Sequence, residues 1–218
     1  MKKTAKPGIG ALLIAVLICS SIAGSPATAA TSRSAEAAIE SLQVKGRAPK
    51  TGYERAAFSD GWAEIGSCTV RNYVLRRDLK NVTFKSGCVV DTGVLTDPYT
   101  GKKISFQYGV GTSSKVQIDH VVALSDAWQK GAQGIGATKR FNFYNDPLNL
   151  MAVDGPTNAS KGDGDAATWL PPNKAYRCAY VARQIAVKIK YKLWLVTAEK
   201  AAMKRVLATC PQQKLPTS

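Results

Sequence analysis

Four widely spaced cysteines, Cys68, Cys88, Cys178 and Cys210, constrain this chain more than any other feature. They follow an amino-terminal segment laid out for export. Lys2, Lys3 and Lys6 precede an almost unbroken run of apolar and small residues, Ile9 to Ile22, and Ala27-Thr28-Ala29 supplies the small residues of a cleavage site. The apolar run is shorter than the roughly 20 residues of a spanning helix. The sequence therefore predicts a signal peptide over residues 1–29, removed together with Cys19, and a secreted mature protein with no stable membrane insertion. An even number of cysteines in an exported chain predicts two disulfides, and sequence alone leaves three pairings open. None of the four has zinc-knuckle spacing, and a single histidine cannot complete a Cys/His cluster.

Hydrophobic spacing places the cysteines on elements. Residues 30–50, rich in Ala, Ser, Lys and Arg, read as a flexible leader with at most one helix around Ala37 to Leu42. One domain over 51–210 and a tail over 211–218 follow. Val70, Tyr73 and Val74 fit a helix start beside Cys68, with Leu75 and Leu79 continuing the stripe, and Gly87-Cys88-Val89-Val90 opens a strand. Val89 to Leu95, the turn Asp97-Pro98-Tyr99-Thr100-Gly101, and Ile104-Ser105-Phe106 predict a β-hairpin. Val116-Gln117-Ile118 alternates and runs into Asp119-His120. A helix is expected over Leu124–Gln129, then a glycine loop and the polar segment Asn142 to Asn149. Val181, Ile185, Ile189 and Leu193 recur every fourth position, the mark of an amphipathic helix, and Thr197 is expected to cap a second one. If these two helices double back, Cys178 and Cys210 become neighbours, as do a helix-start Cys68 and a strand-start Cys88. Those pairings, Cys68–Cys88 and Cys178–Cys210, are favoured.

Charge narrows the partners. Of the 30 basic residues three, Lys2, Lys3 and Lys6, fall in the predicted signal peptide, so 27 face 15 acidic ones, a net charge of +12 on the mature chain. Such a surplus attracts polyanions, whether nucleic acid, acidic wall polymer or anionic membrane, without choosing among them.

The choice comes from one stretch. Val116-Gln117-Ile118-Asp119-His120-Val121-Val122 is followed by Asn145-Asp146-Pro147-Leu148-Asn149-Leu150 and then by Asn158-Ala159-Ser160-Lys161-Gly162-Asp163. An Asp-His pair alone is weak evidence, but the whole order resembles the HNH, or ββα-metal, nuclease motif. More closely, residues from about Gly52 to Cys210 resemble secreted HNH endonuclease-like proteins related to the C-terminal domain of a modification-dependent restriction enzyme. Asp97-Pro98-Tyr99-Thr100-Gly101, Ala127-Trp128 with Gly131-Ala132, and Trp169-Leu170-Pro171 share in that resemblance. The chain departs from the family pattern at Thr69, where an aspartate is expected, and at Ala123, where a proline is.

The resemblance implies an α+β fold, a ββα-metal core with flanking helices, stabilised here by disulfides. It implies His120 as general base, Asn149 as the residue orienting it, and Asp119 and Asn158 as ligands of a divalent metal, magnesium first and manganese as the alternative. A hard cation with few protein oxygen ligands suits the chemistry, because phosphodiester hydrolysis needs charge relief on phosphoryl and leaving oxygens. Neighbours on a strand point to opposite sides, so a bend is expected at Asp119-His120. Asn158 is expected to begin the motif's helix. Lys161 and Arg140 are the candidate phosphate contacts; Arg71 and Arg77 are weaker ones, equally readable as ion pairs. The expected function is low-specificity hydrolysis of DNA, with RNA also open, and no protein partner is implied. The alternative is a non-catalytic cationic protein that binds nucleic acid or wall polyanion. A Ser-His-Asp hydrolase is disfavoured because no G-x-S-x-G elbow is present.

Overall fold

The computed structural model describes residues 1–4 and 33–216, so nearly all of the predicted signal peptide lies outside the described residues. Ser34 accepts the Ala37 N–H and starts the short helix α1 (Ala35–Ile39). An irregular strap then leads to a minimal hairpin, β1 (Glu64–Ile65) and β2 (Cys68–Thr69). Thr69, one of the departures from the family pattern, caps α2 (Val70–Asp78) by accepting the Asn72 N–H at 3.3 Å, a task an aspartate would also perform. A meander follows: β3 (Leu79–Ser86), β4 (Val89–Thr96) and β5 (Lys103–Gln107), antiparallel in that order. The expected hairpin turn is present, its Asp97 carboxylate accepting from the Tyr99 and Thr100 amides. Next come β6 (Val116–His120), α3 (Leu124–Trp128), α4 (Ala137–Asn145), β7 (Leu150–Asp154), α5 (Gly155–Lys161), α6 (Arg177–Tyr191) and α7 (Thr197–Leu207).

The centre is a ββα unit. β6 and β7 pair antiparallel without a break from Val116↔Asp154 to His120↔Leu150, and α5 follows directly. Two strands alone are marginal in water, and here both faces are covered. Ile118, Leu150 and Ala152 join Val74, Leu75, Leu95 and Phe106 in a core under α2 and the meander. Met151 and Val153 face the other way, into a core with Tyr99, Tyr180, Val181 and Ile185. The α+β class therefore holds. Both favoured disulfides are formed, Cys68–Cys88 beside α2 and Cys178–Cys210 across α6 and α7.

Several expectations are corrected. The leader is not loose where it is described: Ala35, Ala38 and Ile39 are fully buried in the core that also holds Tyr180 and Met203, because small side chains let α1 lie close. Nor is the end a free tail, since Gln213 and Leu215 bond the backbone of Ala35 and Arg33. Leu79 ends the α2 stripe by turning extended, and Asn81 at φ 52° suits the irregular register of β3 rather than a helix. The polar segment at Asn142 is the second half of α4, with Phe143 and Tyr144 buried. Val196, not Thr197, holds the cap position of α7; the Glu199 carboxylate accepts the Val196 N–H instead.

Candidate active site

A cavity of about 420 Å³ runs along the unpaired edge of β6. Gln117, Ile118, Asp119 and His120 all line it in succession, which opposite-facing neighbours can do only where the pocket follows the strand edge. The expected bend is therefore unnecessary, and the β6–β7 register passes through His120 undisturbed. α5 closes the far wall with Asn158, and the loop beyond adds Gly162 and Asp163. Asp154 caps that helix by accepting the Thr157 N–H at 2.9 Å. Gly155, not Asn158, begins it; a Cβ there would collide with the Ser114 carbonyl oxygen.

His120 is buried, and its Nε2 lies 2.8 Å from the Tyr144 carbonyl oxygen. A carbonyl only accepts, so Nε2 carries the proton and Nδ1 keeps the ring's one lone pair. Burial pushes the imidazole pKa down to about 3, with the charges of Arg55 and Lys161 adding to it and the Tyr144 carbonyl opposing. The ring is neutral throughout the physiological range. Trp62 stacks on it, 6.0 Å between centroids and 9° from parallel, and Tyr144 packs at 4.7 Å.

Asn149 does not orient this ring. Its Oδ1 accepts the Val122 N–H at 2.9 Å and its own carbonyl accepts the Val121 N–H at 2.8 Å, so it clamps the chain just beyond His120. Its influence on the histidine runs through backbone, while the ring itself is held by the Tyr144 carbonyl.

Asp119 sits between two donors. Lys161 Nζ is 2.9 Å from Oδ1, and the Tyr99 hydroxyl donates to Oδ2. Burial and the neighbouring Asp119 charge push the Tyr99 phenol well up, so it stays a donor. Lys161 also donates to the His120 carbonyl at 2.9 Å, and its side chain is fully buried. It is neither solvated nor presented to a phosphate, which corrects its assignment as a substrate contact. Arg140 is corrected likewise: it donates to the carbonyls of Ala57, Ala132 and Gln133 and lies 5.6 Å from the Trp128 ring. Arg77 pairs with Asp78 and donates to the Pro147 and Leu150 carbonyls. Asn158 donates its Nδ2 to Gln117 Oε1 at 2.9 Å, leaving its Oδ1 without a protein partner among the described residues.

Of the expected site residues, Asp119, His120 and Asn158 come together in one cavity. Sequence reasoning missed Gln117, Tyr53, Arg55 and Trp62. The last three lie in the strap more than 50 residues upstream of the histidine, where no spacing rule connects them to it.

Comparison with known proteins places this geometry in context. Residues 69–206 match the family model of the C-terminal domain of GmrSD restriction endonucleases. A protein of Arthroderma benhamiae described as an uncharacterized secreted protein is 35% identical over 205 residues, covering 90% of this chain and 98% of the relative.

Proposed function

The chain belongs to the family of GmrSD restriction endonuclease C-terminal domains, and from that premise we propose that it is a secreted, metal-dependent endonuclease hydrolysing phosphodiester bonds of nucleic acid with low sequence specificity. The observation that carries the reading is His120: an imidazole whose Nε2 is held by the Tyr144 carbonyl, in the same cavity as a carboxylate and an amide oxygen without a protein partner among the described residues. A protein that only binds polyanions needs no such base. Secretion is supported by the leader sequence and by the description of the relative as secreted. No helix among the described residues is long and apolar enough to cross a membrane.

The donor set fits a hard divalent cation. Asp119 offers a carboxylate already oriented by Tyr99 and Lys161, and Asn158 an unclaimed amide oxygen. Among the described residues no group of three or more His, Cys, Asp or Glu side chains could hold a metal. Two oxygen ligands leave most of the coordination to water and substrate, which magnesium favours and manganese tolerates. Bound there, the cation would relieve charge on the phosphoryl and leaving oxygens. The chain's own residues do the rest. His120 accepts a proton from the attacking water at Nδ1, which the Tyr144 carbonyl keeps free by holding Nε2–H. Lys161 ties Asp119 to the His120 backbone, so ligand and base keep one spacing. Trp62 shields the ring from bulk water.

The test is digestion of plasmid, single-stranded DNA and RNA by the mature chain with magnesium, manganese or chelator. Cleavage should need the metal, and His120→Ala should fold yet lose at least two orders of magnitude in rate, the usual contribution of a general base. Native-like cleavage by folded His120→Ala refutes the mechanism. Salt-sensitive binding without cleavage under any metal would instead establish the cationic binding protein.

A further inference from the structure

The cavity around His120 holds two guanidinium groups that the proposed chemistry has not yet used. Its two lining carboxylates are already paired with lysines outside the lining. Lys161 is spent on Asp119, and Asp163 pairs with Lys50 at 3.0 Å. Arg55 and Arg71 also line the cavity, and neither forms an ion pair with a carboxylate among the described residues. Arg55 uses one nitrogen, donating to the Tyr144 hydroxyl at 3.0 Å, and its guanidinium lies 5.1 Å from that ring. With five N–H donors per guanidinium, most of its donor capacity stays open. Arg71 makes no hydrogen bond among the described residues, and burial works against its charged form. The contrast with Arg77 and Arg140 is plain, because both of those are consumed by carboxylate or backbone partners.

We infer that Arg55 and Arg71 form a two-armed clamp for the phosphodiester group of the substrate, one arm from the strap and the other from α2. Arg71 is a half-buried cation without a partner among the described residues, which costs free energy. Arg55 is exposed with most of its donors open, and a phosphate with acceptor oxygens on each side is the ligand whose charge and geometry two planar guanidiniums match. The clamp rests on the nuclease reading for the identity of its ligand. It adds where that ligand is gripped, and it assigns half of the grip to residue 55, outside the segment that matches the family model. The strap is firmly held for this purpose. Phe58 is buried, the Ala63 N–H donates to Asn145 Oδ1 at 2.8 Å, and Arg140 takes the Ala57 carbonyl.

Binding separates this inference from cleavage. In a His120→Ala background, a labelled single-stranded oligonucleotide and the same sequence as duplex are titrated by fluorescence anisotropy across a salt series. Arg55→Ala and Arg71→Ala should each weaken binding about tenfold or more, as loss of a charge-assisted contact does. Each should also lower the salt slope by about one. Arg71→Lys should recover part of the affinity, because charge returns without the fork. Arg76→Ala, on the exposed side of α2, should stay within about twofold. Circular dichroism checks that every variant is folded. If folded Arg55→Ala and Arg71→Ala both bind within twofold of their parent, the clamp is overturned. If they lose binding while the native chain cuts nothing, the clamp stands and the nuclease reading falls.

Discussion

Replacing Lys130 by methionine removes the hub of a buried charge cluster that has no part in the chemistry. Lys130 Nζ lies 2.6 Å from Asp126, 2.8 Å from Asp165 and 2.6 Å from Glu199; Lys188 reaches Asp126 and Glu199, and Arg47 reaches Asp126 and Asp165. Three cations thus balance three carboxylates, and all but Arg47 are almost completely buried. Methionine fills similar space and leaves one buried negative charge uncompensated. Breaking a buried pair from one side costs about 3–5 kcal/mol, a large share of the roughly 5–15 kcal/mol that holds a domain together. At about 2–4 °C per kcal/mol for a chain of this size, Tm should fall by about 6–20 °C. Calorimetry at pH 7 and pH 5 supplies the assay. In the native chain burial pushes Asp126 and Asp165 up, but Lys188 and Lys130 on the first, and Lys130 on the second, outweigh it and hold both below the usual carboxylate range. On acidification the unfolded chain therefore binds protons first. This stabilisation is complete above a pH of about 4 and drains away as pH falls toward the folded values. In Lys130→Met the orphaned carboxylate binds a proton more readily folded than unfolded, so its deficit should shrink at pH 5. A Tm change under about 2 °C at pH 7, or a deficit that grows at pH 5, would refute the charge argument.

Three other perturbations follow from the same structure. Reducing Cys178–Cys210, or changing both residues to serine, opens a loop of 32 residues and should cost roughly 3–4 kcal/mol in the chain-entropy model, read as a lower denaturant midpoint with an unchanged activity per folded molecule. Gly155→Ala drives a Cβ into the Ser114 carbonyl; α5 must shift, so the variant should lose about 1–3 kcal/mol and need more metal for half-maximal cleavage, and an unaltered metal titration would count against the placement of Asn158. Asn149→Ala leaves the buried Val122 N–H unpaired, costing about 1–3 kcal/mol; turnover should drop with little change in oligonucleotide affinity, and the opposite pattern would assign Asn149 to substrate binding.

Legibility from sequence followed the range of the signal. α6 and α7 were readable because their apolar positions repeat within each helix, and the disulfide joining their ends followed from that geometry. The β4–β5 hairpin was readable because Asp97 and Gly101 carry the turn locally. Asp119, His120 and Asn158 were legible as members of one ordered motif. What failed depended on tertiary partners. β3 has its start beside a helix stripe that Leu79 continues in sequence but leaves in space, and α1 is ordered by surfaces lying more than 100 residues away. Lys161 reads as a phosphate contact in sequence, yet it is drawn inward by a carboxylate and a carbonyl that only the folded ribbon brings to it. Arg55 and Trp62 had no local signal at all.

The charge cluster and the site are also physically joined. Asp165 follows the α5 exit by four residues, and Arg47 anchors the start of the strap that carries Arg55 and Trp62. The cluster ties the strap and the α5 exit, two walls of the cavity, to α3, α6 and α7 with directional contacts, whereas apolar side chains would hold them without choosing a register. Lys130→Met should accordingly do more than lower Tm. At a temperature where the variant is fully folded, its strap and α5 exit should exchange amide protons faster than in the parent, while the β6–β7 ribbon, covered on both faces, should not. Equal protection of strap and ribbon in that variant would show that the cluster stabilises the domain globally and leaves the geometry of the cavity to its own contacts.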